Sequence, residues 1–344
     1  MGPGDNSSPS GAALGRRSVA GIELTALGFG AAPIGNLYTP VTQAEALSAV
    51  HGAWERGVRY FDTAPYYGYG LSEERLGRAL CDTARASFVL SSKVGRRVYD
   101  APPTECSGDG FAVLGRRAAF DYSRDGVRRS VESSLQRLRT DYIDILLLHD
   151  IGALTHGSQH AQVLRQALDE ALPEMATLKA EGLCRAIGIG VNEQEVCLEI
   201  LPRFPLDCIM LAGRYTLLEQ SAGIPVLDAA VRHSVGVIVA GPYNSGLLGA
   251  RLAPGDTYNY LPAEGAVRIR AQELYRLCAN FDIEVGAAAL QFPLAHRAVR
   301  CVVAGMRSTA EVASGVARMK AHVPPPLWRC LREAGLLLPE VPTP

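Results

Sequence analysis

The chain has 344 residues, 48% of them hydrophobic, and a formal net charge of -1. That near-neutral balance argues against general binding to nucleic acid or to an anionic membrane surface, each of which wants a basic excess. No apolar run approaches the roughly 18–20 residues needed to cross a bilayer, and the length suits one large domain or two ordinary ones.

Met1 to Leu14 is rich in Gly, Pro and Ser and has no apolar stretch of the kind a signal peptide needs. A disordered leader is therefore expected over residues 1–20. Beyond it, short runs rich in β-branched residues and leucine alternate with longer helical patterns. The runs cover 27–30, 59–62, 88–93, 143–149, 185–189, 208–212, 236–240 and 300–304. Thr42 and Glu45 form a capping box ahead of Ala46, Leu47, Val50 and Trp54 at helical spacing. Trp54 lies on that apolar stripe and reads as core. Ser72 is expected to cap a helix over 73–80, and Asp125 to open one carrying Val127, Val131, Leu135 and Leu138. Further helices are predicted over 163–180, 194–201, 226–232, 266–280 and 309–319.

Eight strand–helix repeats demand a parallel sheet, and eight is the number that closes a (β/α)8 barrel, also called a TIM barrel. We expect an α/β single domain over 21–320, followed by a tail segment at 321–344. A doubly wound open sheet is the alternative, but no GxGxxG follows the first strand, which counts against a dinucleotide site of that type. Two long connections, 95–121 and 150–160, leave the carboxyl ends of the third and fourth strands, where a barrel builds its pocket.

Cys184, Cys197, Cys208, Cys278 and Cys301 sit within apolar patterns and no CxxC occurs. They read as small core residues of a reducing, cytoplasmic compartment rather than a disulfide framework or zinc site. His156 and His160, four apart, have no Cys or carboxylate partners nearby and read as a solvated loop, so no metal is expected.

Chemistry concentrates in Tyr60-Phe-Asp-Thr-Ala-Pro-Tyr-Tyr-Gly-Tyr-Gly70, which places Asp62 at a strand end and Tyr67 five residues on in a Gly-rich loop. The third strand ends in Ser91-Ser-Lys93 and the fourth in His149. With three lysines against thirty-one arginines, a lysine at a strand end is a notable choice of cation. A tyrosine with a pKa near 10 is a poor base at neutral pH. An adjacent ammonium would stabilise its phenolate, and a carboxylate would hold that ammonium charged.

At these residues the chain resembles the aldo-keto reductase family from about Leu24 to Met319. Phe61-Asp-Thr-Ala, Tyr67-Gly68, Ser92-Lys93, the Asp141 to His149 run, Arg185-Ala-Ile-Gly188 and Val303-Ala-Gly305 carry the resemblance. It implies a catalytic tetrad of Asp62, Tyr67, Lys93 and His149, with Tyr67 as general acid/base and His149 orienting the substrate oxygen. Tyr66 is the alternative for the tyrosine. Ala64-Pro-Tyr-Tyr-Gly-Tyr-Gly70, Ala212-Gly-Arg-Tyr-Thr-Leu-Leu218 and Gly241-Pro-Tyr-Asn-Ser-Gly246 are similar to the aldose dehydrogenases that oxidise L-fucose, D-arabinose or L-galactose at C1, and to pyridoxal 4-dehydrogenases. A general aldehyde or ketone reductase is a further alternative. From another class, a non-catalytic, cofactor-binding regulatory subunit on the same fold is kept in view.

The resemblance also implies a nicotinamide cofactor. Barrels hold phosphate with the loops after strands seven and eight. Here these offer Gly241, Ser245, Gly246 and Leu248, then Gly305, Arg307 and Glu311. Arg307 is the expected pyrophosphate clamp. Gly305 and Glu311 stand where many relatives carry cations for a 2′-phosphate, so the reading leans to NAD, with NADP possible. The usual Ser-Asn pair after strand five reads Gly190-Val191-Asn192, leaving Asn192 as a shifted carboxamide contact. Ala212 stands in place of the usual Gln, and Gly241 in place of the usual stacking aromatic, so Pro242 or Tyr243 would have to cover the ring. Tyr38, Tyr243 and Arg214 are candidates for the substrate side, with Tyr122 a further aromatic. A small-molecule partner and a monomer or small homo-oligomer are expected.

Overall fold

A computed structural model describes residues 13–104, 109–249, 257–258, 261–263 and 265–344. Eight parallel strands close on themselves in chain order. They are β1 (Leu27–Gly30), β2 (Tyr60–Asp62), β3 (Val89–Val94), β4 (Ile143–His149), β5 (Cys184–Val191), β6 (Cys208–Ala212), β7 (Gly236–Ala240) and β8 (Val299–Gly305). Each lies within two residues of its sequence expectation. The (β/α)8 barrel is therefore the fold.

Period-two alternation decides what each strand delivers to the barrel mouth. Tyr60, Val89, Ile145, Leu147, Ala186, Cys208, Met210, Ile238, Cys301 and Val303 pack in one interior cluster. Two or four residues further along the same faces come Asp62, Lys93 and His149 on β2 to β4. On β5 to β7 the same step reaches Gly190, Ala212 and Ala240. One half of the mouth is thus charged and the other is small and open. Gly28 belongs to this interior, because a Cβ there would meet Tyr60 at 2.7 Å.

Helices shield the outer strand faces. The capping box at Thr42 forms as expected: the Glu45 N–H donates to Thr42 Oγ1 at 3.2 Å, and the Thr42 N–H to Glu45 Oε2 at 2.9 Å. One expected cap is corrected. Gly70, at φ 92°, precedes the helix Leu71–Leu80, while Ser72 is buried inside it, donating to the Ala31 carbonyl at 2.8 Å. Asp125 stands in the first turn of Arg124–Leu138 as expected, and Ser123 caps that helix through the Gly126 N–H. The helix expected over 163–180 contains a π-helical stretch, Ala167–Ala171.

Both ends of the chain add to the barrel. An antiparallel hairpin, Arg16–Val19 with Ile22–Thr25, closes its amino-terminal end and buries Val19, Ile22 and Leu24 in the interior cluster. Its two-residue turn sits at positive φ, Ala20 at 47° and Gly21 at 79°, which matches strand twist. Residues 16–20 of the expected leader therefore belong to the fold, and its residues 1–12 lie outside the described residues. Likewise the expected tail contains the helix Pro325–Glu333, and Leu327, Trp328 and Leu331 are buried in the main core. The long connection after β3 carries a second hairpin, Arg96–Asp100 with Arg116–Phe120. Among the described residues no helix is long and apolar enough to cross a membrane.

Candidate active site

The charged half of the mouth assembles around Lys93. Its ammonium donates to both oxygens of Asp62, at 2.9 and 2.8 Å, and to the Thr63 carbonyl at 2.9 Å. Both side chains are almost fully buried. Burial alone would lower the lysine pKa, but the Asp62 carboxylate and the hydrogen-bonded Tyr67 side chain outweigh it, and the net shift is upward. Lys93 is a fixed cation. Ser91 Oγ donates to Asp62 Oδ1 at 2.7 Å and meets the Tyr60 hydroxyl at 2.9 Å, so the carboxylate is held from below as well.

Tyr67 reaches this group from a loop pressed against the segment Pro33–Gly35. A Cβ at Gly35 would meet the Tyr67 carbonyl carbon at 2.8 Å, and one at Gly68 would meet the Gly35 oxygen at 2.3 Å. Only glycine on both sides allows that approach. The Tyr67 ring centre lies 4.7 Å from Lys93 Nζ. Tyr66 points elsewhere: the Arg96 guanidinium covers its ring at 3.9 Å, and burial pushes its phenol up to about 12. Of the two tyrosines, Tyr67 is the one beside the lysine.

His149 completes the group, its ring edge-on to Tyr67 with centroids 5.9 Å apart. Burial drops its pKa to about 3, with the nearby Arg96 and Lys93 adding to the effect against Asp150. The imidazole is therefore neutral at physiological pH. Its Nε2 lies 3.4 Å from Asp150 Oδ2, while Nδ1 is buried without a hydrogen-bond partner. That environment favours the tautomer protonated at Nε2, a donor facing the cavity.

Tyr66, Tyr67, Lys93 and His149 line a cavity of about 290 Å³, together with Tyr38, Arg96, Asp109, Phe111, Asp150 and Asn192. Tyr38, at 55% exposure, stands at the rim. Phe111 lies nearly parallel to Tyr67, with centroids 6.2 Å apart, and the Tyr69 hydroxyl donates to Asp109 at 2.5 Å. Arg96, Asp109, Phe111 and Asp150 were not singled out in the sequence. Asp150 follows immediately on the end of β4 and Arg96 stands two residues beyond the end of β3, and that proximity was the available signal. Asp109 and Phe111 sit in a connection whose path only the fold shows.

Other sequence candidates land elsewhere. Arg214 does not line the cavity: it donates to the Asn192 carbonyl at 2.7 Å and pairs with Glu219 at 3.0 Å, bracing Asn192 from behind. Tyr243 is also absent from the lining and packs against the core, with Arg318 5.8 Å from its ring centre. Tyr122 is buried, its hydroxyl donating to the His149 carbonyl at 2.9 Å. Trp54 is half-buried beneath the Arg59 guanidinium. His160 meets Glu199 at 3.1 Å, and among the described residues no cluster could hold a metal.

The open half suits an extended anionic cofactor. After β7, Gly241, Asn244, Ser245 and Gly246 all have positive φ, while the Gly241 and Asn244 N–H groups donate to the Val303 and Gly241 carbonyls at 3.2 and 3.0 Å. A Cβ at Gly246 would meet nothing within 4 Å, and Asn244 Oδ1 is buried without a partner. Leu248 is a correction, since its side chain is fully buried and its N–H is spent on the Tyr243 carbonyl. After β8, Gly305 is exposed and Ser308 caps the helix Thr309–Lys320. Glu311 in its first turn accepts from the Arg307 N–H at 2.8 Å and faces the guanidinium at 3.4 Å.

Known proteins resemble this chain over nearly its whole length. Residues 26–326 match the model of the aldo/keto reductase family. The chain is 37% identical to a pyridoxal 4-dehydrogenase of Microbacterium luteolum, over 94% of this chain and 97% of that one. It is 38% identical to a D-threo-aldose 1-dehydrogenase of a Pseudomonas species, over 95% and 98%. The solved holo form of an aldo-keto reductase from Bacillus halodurans superposes with a TM-score of 0.74 at 27% identity, covering 95% of this chain and 98% of that one. A closed barrel, a buried Asp–Lys pair beside tyrosine and histidine, and near-complete matches to named dehydrogenases converge: the chain belongs to the aldo/keto reductase family and is a nicotinamide-dependent oxidoreductase.

Proposed function

We propose that the chain oxidises an aldose such as L-fucose at C1, giving the lactone, with Tyr67 as the general base and NAD as the cofactor. The observation that carries this reading is the Lys93 ammonium, locked on Asp62 and touching Tyr67 at the wall of a small polar cavity. A nicotinamide held on the open half supplies the acceptor for the C1 hydride. Tyr67 takes the C1 hydroxyl proton as that hydride leaves, and the fixed ammonium stabilises the phenolate form that begins the step. Neutral His149 donates from Nε2 to the same oxygen and sets its angle.

Asn192, braced by Arg214, faces the open half and fits a carboxamide contact. The loop from Gly241 to Gly246 and the Arg307 segment fit the phosphates. Glu311 at the adjoining helix start accepts ribose hydroxyls and repels a 2′-phosphate, which favours NAD over NADP.

The test is a spectrophotometric panel with the purified protein. NAD and NADP are each offered with L-fucose, D-arabinose, L-galactose and pyridoxal, and reduced nicotinamide is followed. Lactone formation with NAD supports the proposal. Turnover of pyridoxal alone would replace the sugar with a pyridine aldehyde.

A further inference from the structure

Asp150 is held in a conformation that an aspartate rarely adopts. Its φ is 50°, the left-handed region, which costs an L-residue on the order of 1–2 kcal/mol. Three backbone hydrogen bonds fix it there. Its N–H donates to the Gly190 carbonyl at 3.0 Å, and its own carbonyl accepts from His156 Nε2 at 2.9 Å and shares the single Tyr122 hydroxyl proton, 3.0 Å away, with the His149 carbonyl. The result is a carboxylate aimed into the cavity rather than along the strand. It meets Arg96 Nη2 at 2.5 Å. Arg96 is itself clamped, with Tyr66 and Phe120 ring centres 3.9 and 4.6 Å from its guanidinium carbon.

We propose that the Arg96–Asp150 pair is a recognition subsite for the hydroxyl on the carbon next to the reacting one, making 2-hydroxy aldoses the substrate class. The inference rests on the reading of the chain as an aldose 1-dehydrogenase. The pair offers an acceptor and a donor side by side, as a hydroxyl requires, and its charges are already mutually neutralised. Placement supplies the position. Asp150 Oδ2 lies 3.4 Å from His149 Nε2, which donates to the C1 oxygen in the proposed reaction. Neighbouring oxygens of a vicinal diol are about a hydrogen-bond length apart. An oxygen seated on His149 therefore puts the C2 hydroxyl at Asp150.

The experiment compares kcat/KM for L-fucose and 2-deoxy-L-fucose, or for the aldose that the panel favours and its 2-deoxy counterpart. A hydrogen bond to a charged group corresponds to on the order of 10- to 150-fold, so the wild type should prefer the 2-hydroxy sugar by that span. Asp150→Asn and Arg96→Met should each shrink the ratio at least about tenfold. Because the readout is a ratio, a general loss of activity does not produce it. Thermal melting checks each variant, and Arg96→Lys, which keeps the charge but loses the fork, serves where a neutral variant does not fold. Aldose turnover with a wild-type ratio near one, or a ratio that Asp150→Asn leaves in place, overturns the subsite alone. No turnover of any aldose overturns the subsite together with the proposed function.

Discussion

Lys93 Nζ sits 2.8 Å from Asp62 Oδ2 inside a barrel that excludes water from both. Two effects follow from one contact, and mutagenesis separates them. Removing either partner leaves an uncompensated buried charge, which costs about 3–5 kcal/mol of stability. Asp62→Asn and Lys93→Met should each lower the free energy of unfolding by that amount. The double variant removes both charges and should be more stable than either single variant, while remaining inactive. A double variant no more stable than the singles in urea melts would show that the pair does not behave as a coupled buried unit.

Tyr67→Phe deletes one oxygen at the cavity wall and keeps the ring packed against Phe111. General acid–base catalysis is worth about 10²- to 10⁴-fold, and the variant should lose turnover on that scale. NAD affinity, measured by fluorescence titration, should stay within about threefold, because the glycine loop and the Arg307 segment lie elsewhere on the mouth. Tyr66→Phe should keep most activity, since that ring is committed to Arg96. If Tyr66→Phe is the dead variant and Tyr67→Phe the active one, the assignment reverses.

The buried imidazole of His149 makes a prediction about acid stability. Its pKa in the folded chain is about 3, against about 6.5 when unfolded. Between those values the unfolded chain binds a proton that the native chain refuses. Stability from this group is therefore complete above about pH 6.5 and is lost as pH falls from there towards 3. At about pH 5 the loss is roughly 2 kcal/mol. Relative to His149→Asn, the wild type should lose that increment between neutral pH and about pH 5 in denaturant melts. NMR titration should show no His149 transition near neutrality. An imidazole signal titrating at about 6.5 would overturn the neutral-donor role.

The chain announced its barrel because each strand is a short apolar run with a helix start behind it, and nothing else closes eight such repeats. Asp62, Lys93 and His149 were legible for the same reason: each ends a run, on the parity that faces inward. Tyr67 lies in a loop, where periodicity is silent, and it came from family resemblance. Asp150 and Arg96 were passed over because they stand one and three residues beyond the ends of their runs, where alternation no longer says which way a side chain faces. A positive φ at Asp150 redirects that side chain, and sequence pattern does not carry that information. Ser72 was misread as a cap for a related reason. Several polar residues stand near each helix start, and the choice among them depends on tertiary contacts such as the one from Ser72 to Ala31.

In the proposed function the preference for NAD turns on Glu311. It lies in the first turn of the helix Thr309–Lys320 and accepts from the Arg307 N–H, so its carboxylate would repel a 2′-phosphate placed at that helix start. Glu311→Gln keeps the size and a hydrogen-bond acceptor but removes the charge, and it frees Arg307 from its ion pair. Such exposed charge interactions are worth about 1 kcal/mol, so the ratio of kcat/KM for NADP over NAD should rise roughly five- to tenfold. Glu311→Arg adds attraction to the loss of repulsion and should raise the ratio further, with the larger effect at low salt, because screening weakens exposed charges. A ratio indifferent to both substitutions would mean that the adenosine ribose binds away from this helix, and NAD selectivity would then have to come from the loop Gly241 to Gly246.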